Sequence, residues 1–204
     1  MRFRKIPEET IKRLPTYLRG ILFISQQGHH NVSSRELADY LGTNSWQIRK
    51  DFSYFGDFGT PGVGYDTKKL IQHIKKILKL DVGNKAALIG VGNLGSAVLA
   101  YQHFDMYGLA ISAAFDTDPV KIGKKINNVR IEDASRISSL KKRKINIGII
   151  AVPRDAAKDT TDALVKAGVK AILNFSPSNI VVPKKVKVIT IDIAMDLARL
   201  PYYL

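Results

Sequence analysis

The chain contains no cysteine. That single absence excludes disulfides, thiolate metal sites and thiol-based redox sensing. Long apolar runs are missing too: nothing approaches the roughly 18 residues that a membrane-spanning helix needs. The basic residues of MRFRKIPEET have no apolar core behind them, so no signal peptide is expected and a cytoplasmic protein is the default. Acidic residues are scarce, 18 against 32 basic ones, which leaves a net charge of +14. Such a surplus favours an anionic partner, most often nucleic acid; its bland counterpart is a solvated, lysine-rich surface. Positive charge is denser in residues 1–80 than beyond them. With 204 residues, 45% of them hydrophobic, the chain can build one good core or two small ones.

The first part reads as helices and a turn. Ile11, Leu14, Leu18, Ile21 and Leu22 recur at helix spacing, although Pro15 predicts a kink or a restart. QQGHHN then breaks the pattern. Ser33 and Glu36 have the spacing of a capping box, opening a short helix that runs to about Tyr40. Gly42 makes a turn, and Thr43, Asn44 or Ser45 can cap a second helix reaching Ser53. Leu37, Leu41, Ile48 and Phe52 face inward. DFGTPGVGYD follows as a short glycine-rich hairpin, and TKKLIQHIKKILKL as an amphipathic helix.

This order, helix, turn, basic helix, hairpin, is that of a winged helix-turn-helix. Arg49 and Lys50 are placed to reach phosphates or base edges, with Ser45 and Gln47 at the leading end of SWQIRKDFS and Ser53 and Tyr54 further along. Thr60 on the hairpin can touch backbone or minor groove. The plainer alternatives are an Arg49 ion pair with Asp51 or Asp57, and a Trp46 buried in the core.

At Asp81–Asn84 the texture changes. Apolar strands alternate with helices: KAALIGV, a helix from Leu94, LAISAAFD, a weak segment at VRIED, INIGIIAV, a helix through DALVKAG, KAILNF and KVITIDI. That alternation predicts a doubly wound parallel sheet. GVGNLG, from Gly90 through Val91, Gly92, Asn93 and Leu94 to Gly95, fits the G-x-G-x-x-G fingerprint between a strand and a helix. Gly90 permits the tight turn, Gly92 lets backbone approach a pyrophosphate, and Gly95 allows close packing of helix on strand. Asp116 closes the next strand about twenty residues on, where an acid accepts from a ribose 2′-OH and repels a 2′-phosphate. NAD(H) is therefore favoured over NADP(H), with S-adenosylmethionine and coenzyme A as rivals.

The ends of the late strands supply Val152, Pro153, Asn174, Ser176 and Pro177, none of them an acid or base suited to neutral pH. His29, His30, His73 and His103 form no triad, and no metal cluster stands out. The reading is a domain that binds a dinucleotide without turning it over, so no catalytic residue is assigned. The competing class is an NAD-dependent dehydrogenase with a basic N-terminal extension. The domains are placed at 1–80 (winged helix), 85–192 (Rossmann-like) and 193–204 (C-terminal helix).

Taken together, these motifs resemble the Rex family of transcriptional repressors. QIRKDFSYFGDFGTPGVGYD, GVGNLGSA, FDTDP, VPRDAA and ILNFSP carry the resemblance, which covers nearly the whole chain. It implies a homodimer that holds a palindromic operator on double-stranded DNA, with or without NAD+, and lets go when NADH binds. It implies a C-terminal helix exchanged between subunits, matching the apolar tail after Asp192. Arg19 in TYLR, Tyr101 in VLAYQHF and Asp192 in ITIDI resemble the family's switch residues. Three positions depart from the pattern: Trp46 replaces a smaller residue, Ser176 replaces an alanine, and Ile193 stands where some members place an aromatic that reaches the partner's cofactor.

Overall fold

In the computed structural model, which describes residues 6–56 and 58–204, the chain divides after Val82 into two units. The first opens with α1 (Glu8–Gln26), whose N-cap is Pro7 and whose first turn carries Glu8 and Glu9, the favourable sign for a helix start. No restart occurs at Pro15; α1 is one helix of 19 residues. Proline removes only its own bond to the Ile11 carbonyl, and Pro15 lies on the exposed face where solvent can serve that oxygen. Leu14, Tyr17, Leu18 and Ile21 are buried on the other face and hold both halves to one surface.

After Gly28 the chain forms β1 (Asn31–Val32), then α2 (Ser34–Leu41) and α3 (Ser45–Ser53). Both helix starts follow the sequence logic. Ser33 Oγ accepts from Glu36 N–H at 3.1 Å, and Glu36 Oε2 accepts from Ser33 N–H at 2.7 Å. Gly42 takes the left-handed conformation that ends α2, and Asn44 Oδ1 caps α3 through Trp46 N–H at 2.8 Å. The wing is the antiparallel pair β2 (Gly59–Thr60) and β3 (Gly64–Asp66), which β1 extends on the far side of β3. Helix α4 (Thr67–Ile77) follows directly, capped by Asp66. Phe52 sits at the centre of the core, edge-on to Tyr17 and Tyr65 at ring separations of 5.5 and 5.3 Å.

The second unit is built on β4 (Asn84–Ile89), α5 (Asn93–Ala100), β5 (Leu109–Asp116), β6 (Lys125–Ile126), β7 (Val129–Asp133), β8 (Ile147–Ile150), α6 (Arg154–Lys166), β9 (Ala171–Asn174), β10 (Lys187–Thr190) and α7 (Ile193–Ala198). Spatial order is β10-β9-β8-β4-β5-β7-β6. Counting the six parallel strands alone, that is the 3-2-1-4-5-6 order of a Rossmann sheet. β6 is an added antiparallel edge strand on β7. Alternation along β4 feeds both faces: Ala87 and Ile89 join Phe115, Ile150 and Leu164 on one side, while Ala86 and Leu88 join Ala114, Ile131 and Ile149 on the other. The end of the chain behaves differently. Ile193, Met195 and Leu197 of α7, with Leu200 and Tyr202 of the one-turn helix after it, are all more than half exposed.

Candidate functional site

The Rossmann unit holds a cleft of about 570 Å³ outside the C-terminal ends of β4, β5, β8 and β9. Its wall includes Gly90, Gly92, Asn93, Leu94, Asp116, Val152 and Pro153, seven of the residues singled out from sequence. Gly90 has φ +91°, and a Cβ there would come within 2.6 Å of the Ala151 carbonyl oxygen. At Gly95 a Cβ would stand 2.0 Å from the Gly90 carbonyl oxygen, so strand end and helix start are in direct backbone contact. At Gly92, by contrast, a Cβ would meet no protein atom within 4 Å. Helix α5 has no side-chain cap. Its first N–H groups have no intrahelical partners, and its dipole favours an anion there.

Asp116 ties strand to loop. Its Oδ2 accepts from Val91 N–H at 2.7 Å and from Lys121 Nζ at 3.3 Å, and its Oδ1 accepts from Asp118 N–H at 2.9 Å. Burial alone would push this carboxyl up. The Asp118 and Val91 N–H groups and the Lys121 ammonium outweigh burial and hold it below the ordinary aspartate range. Val91 and Gly95 lie behind the wall, as supports. Asn174 and Ser176 are buried in the turn after β9: Asn174 Nδ2 donates to the Ser176 and Ser178 carbonyls at 3.2 and 3.1 Å, and its Oδ1 accepts from Ser176 N–H at 3.0 Å. Pro177 is exposed, and Phe175 is the residue of this segment that lines the cleft. Ile89, Thr117, Asp118, Lys121, Ala134, Ile137, Ala151, Ala156, Thr160 and Phe175 complete the wall; none was named as a site residue from sequence, although Thr117 and Asp118 in FDTDP, Ala156 in VPRDAA and Phe175 in ILNFSP fall within motifs of the family resemblance.

In the first unit, Arg49, Lys50, Ser53 and Thr60 are exposed, while Ser45, Gln47 and Tyr54 are half-buried. Trp46 is not a core residue. It is 57% exposed, with Lys50 Nζ 4.8 Å from its ring centroid, because the inner face of α3 is taken by Ile48, Asp51 and Phe52. Arg49 Nη1 donates to Ser34 Oγ at 2.8 Å rather than to Asp51; a pairing with Asp57 lies outside the described residues. Arg49 faces the wing across a groove lined by Ser33, Ser34 and residues 59–65. Gln47 turns its amide inward, donating to Asp51 at 3.0 Å. Asp51 itself is buried and also accepts from Thr10, Arg13 and Tyr17. Burial pushes its carboxyl up, but the donors Arg13, Tyr17, Thr10 and Gln47 together hold it at about 2.

Arg19 is exposed on α1. Tyr101 is the C-cap of α5, half-exposed against His103 and Phe104. Asp192 caps α7 through Met195 N–H at 3.1 Å. Among the described residues no group of three or more His, Cys, Asp or Glu could hold a metal ion.

A winged helix with a basic, outward-facing α3, followed by a Rossmann unit with an uncapped glycine loop, defines a class: DNA-binding proteins that carry a nucleotide receptor. The comparisons agree. A family model described as "CoA binding domain" matches residues 82–178, and one described as "Putative DNA-binding protein N-terminus" matches residues 5–53. The redox-sensing transcriptional repressor Rex of Chloroflexus aurantiacus is 43% identical over 97% of this chain and 94% of its own. That of Carboxydothermus hydrogenoformans is 45% identical over 97% and 96%. Among solved structures, RSP in complex with β-NAD+ and operator DNA superposes with a TM-score of 0.91 at 36% identity, covering 98% of this chain and 93% of that one. RSP with β-NADH gives 0.87 at 34% identity, over 98% and 94%. The chain belongs to the Rex family of redox-sensing transcriptional repressors.

Proposed function

We propose that this protein is a homodimeric, cytoplasmic repressor that holds operator DNA through α3 and the wing and releases it when NADH fills the Rossmann cleft. The observation that carries the reading is the joining, in one chain, of an exposed basic helix backed by a rigid core and a cleft built for a dinucleotide pyrophosphate. The likeness to a repressor crystallised with NAD+ and operator DNA supports both halves. Arg49, Lys50, Ser45, Ser53, Tyr54 and Thr60 face the DNA, with Gln47 in support. Gly90, Gly92, Asn93 and Leu94 hold the pyrophosphate, Asp116 the adenosine ribose, and Val152 and Pro153 the later part of the cofactor near Asn174, Ser176 and Pro177.

NADH and NAD+ share everything but the nicotinamide, which is neutral in one and cationic in the other. Affinity therefore comes from the glycine loop, and discrimination from the far end of the cleft. Arg19, Tyr101 and Asp192 are the residues we assign to relaying that difference. If NADH weakens DNA binding by some factor, DNA weakens NADH binding by the same factor. About 1–3 kcal/mol, or 5–150-fold in operator affinity, is the usual range for such coupling. The exposed apolar residues of α7 and beyond fit a helix received by a second copy of the chain. No helix among the described residues is long and apolar enough to cross a membrane. A dehydrogenase is not favoured, since the full-length relatives are repressors. The test is fluorescence anisotropy of a labelled AT-rich palindromic operator titrated with NADH, NAD+ and NADPH. Displacement by NADH alone is expected; DNA that no dinucleotide moves would remove the switch.

A further inference from the structure

Asp116 is the ribose acid of the cleft, yet most of its hydrogen-bonding capacity is already used. A carboxylate has about four lone-pair positions. Val91 N–H and Lys121 Nζ occupy two on Oδ2, and Asp118 N–H occupies one on Oδ1. A ribose diol brings two more hydroxyl donors, which must compete with these three for the same two oxygens. Two of the three existing donors are backbone groups fixed by the loop and the strand end. Lys121 is the one that can leave. It is a third exposed, lines the cleft, and has a second anion within reach, Asp118 Oδ2 at 3.5 Å.

We infer that Lys121 sets the phosphate tolerance of the adenosine end of the cleft: it yields Asp116 to an unphosphorylated ribose, moving to Asp118, and stays to meet a ribose phosphomonoester. The inference rests on the dinucleotide reading of the cleft. Asp116 by itself would exclude a 2′-phosphate by charge. With an ammonium 3.3 Å from its Oδ2, that exclusion is softened, and the ammonium offers the phosphate a charge-assisted bond. Selection against 2′-phosphorylated nucleotides is thus graded by the Asp116–Lys121–Asp118 group and not dictated by the acid alone.

The test is calorimetric binding of ADP-ribose and ADP-ribose 2′-phosphate to the full chain. Both ligands lack nicotinamide, so the DNA switch does not enter. In Lys121→Gln the preference for the unphosphorylated ligand should rise about tenfold, the worth of one charge-assisted hydrogen bond. ADP-ribose itself should bind more tightly, since its hydroxyls no longer compete with the ammonium. Lys121→Arg should restore the wild-type ratio. An unchanged ratio overturns the inference. So does a parallel weakening of both ligands, which would mean that Lys121 only steadies Asp116. Failure of ADP-ribose to bind the wild-type chain removes the dinucleotide reading, and this inference with it.

Discussion

Arg13 and Asp51 meet through two hydrogen bonds, Nε to Oδ2 at 2.7 Å and Nη2 to Oδ1 at 2.9 Å, joining α1 to the buried side of α3. Thr10 and Tyr17 reach the same carboxylate from α1 at 2.9 and 2.7 Å, and Gln47 reaches it from α3 at 3.0 Å. The helix that presents Arg49 and Lys50 is therefore bolted to α1 by a charge, not only by packing. A carboxylate so buried must be satisfied, and five donor contacts satisfy it.

An acid dependence follows. The folded pKa of Asp51, about 2, lies below its ordinary unfolded value of about 4. The native state binds fewer protons in between, so the stabilisation is full above pH 4 and is lost as pH falls towards 2. About 2–3 kcal/mol is at stake. Circular dichroism melts of wild type and Asp51→Asn should converge over that window. At pH 7 the variant should be less stable by about 2–3 kcal/mol, since Arg13 loses its partner. A variant as stable as wild type at pH 7 would show the hub to be idle.

Arg49→Ala should weaken specific operator binding about 5–150-fold per half-site and leave NADH binding in place. Its guanidinium stands between Ser34 and the wing, and a lost base contact is worth about 1–3 kcal/mol. Anisotropy on cognate and scrambled operators separates a base contact from a phosphate contact: the first loses discrimination, the second weakens both equally. Retained cognate affinity would remove Arg49 from the interface.

Two glycines of one loop should respond in opposite ways. Gly95→Ala sets a methyl against the Gly90 carbonyl oxygen, and neither backbone can yield. We expect at least about 3 kcal/mol of destabilisation in the Rossmann unit. Gly92→Ala meets open space at an ordinary negative φ of −79°, so its melting temperature should hold while dinucleotide affinity falls. A stable Gly95→Ala protein would contradict the close helix–strand contact.

Paired charges on the tail test the assembly. Leu197 and Leu200 are exposed by 59% and 56%. If a second copy covers them, Leu197→Asp with Leu200→Asp should give a monomer in sedimentation, because uncompensated buried carboxylates are costly. A dimer of unchanged strength would place the interface elsewhere.

Local signals in the sequence carried well. The Ser33–Glu36 box, the Gly42 turn and the Asn44 cap act between residues a few positions apart, and such chemistry is written in order along the chain. The glycine fingerprint is local in the same way. Strand β1 was not legible, since a two-residue strand has no periodicity and exists only because Val32 pairs with Tyr65. Pro15 causes no restart for the converse reason: its local cost is real, but buried neighbours on the opposite face outweigh it. The Asp51 hub was hidden because Thr10, Arg13 and Tyr17 lie 41, 38 and 34 positions away. Inside the motif RKD the aspartate reads as a stray charge, and its partners cannot be named without the fold. A comparable separation along the chain kept Thr160 from being placed on one wall with Asp116.

The bond between Val91 N–H and Asp116 Oδ2 has a kinetic meaning. It fixes the glycine loop to the neighbouring strand through protein groups alone, so the loop has little conformational freedom left to lose when a ligand arrives. Association should then need no slow rearrangement at the pyrophosphate end, and little ordering entropy opposes it. A receptor that reports a ratio of two dinucleotides is served by fast exchange of one for the other, and a loop held ready by its own strand permits that exchange.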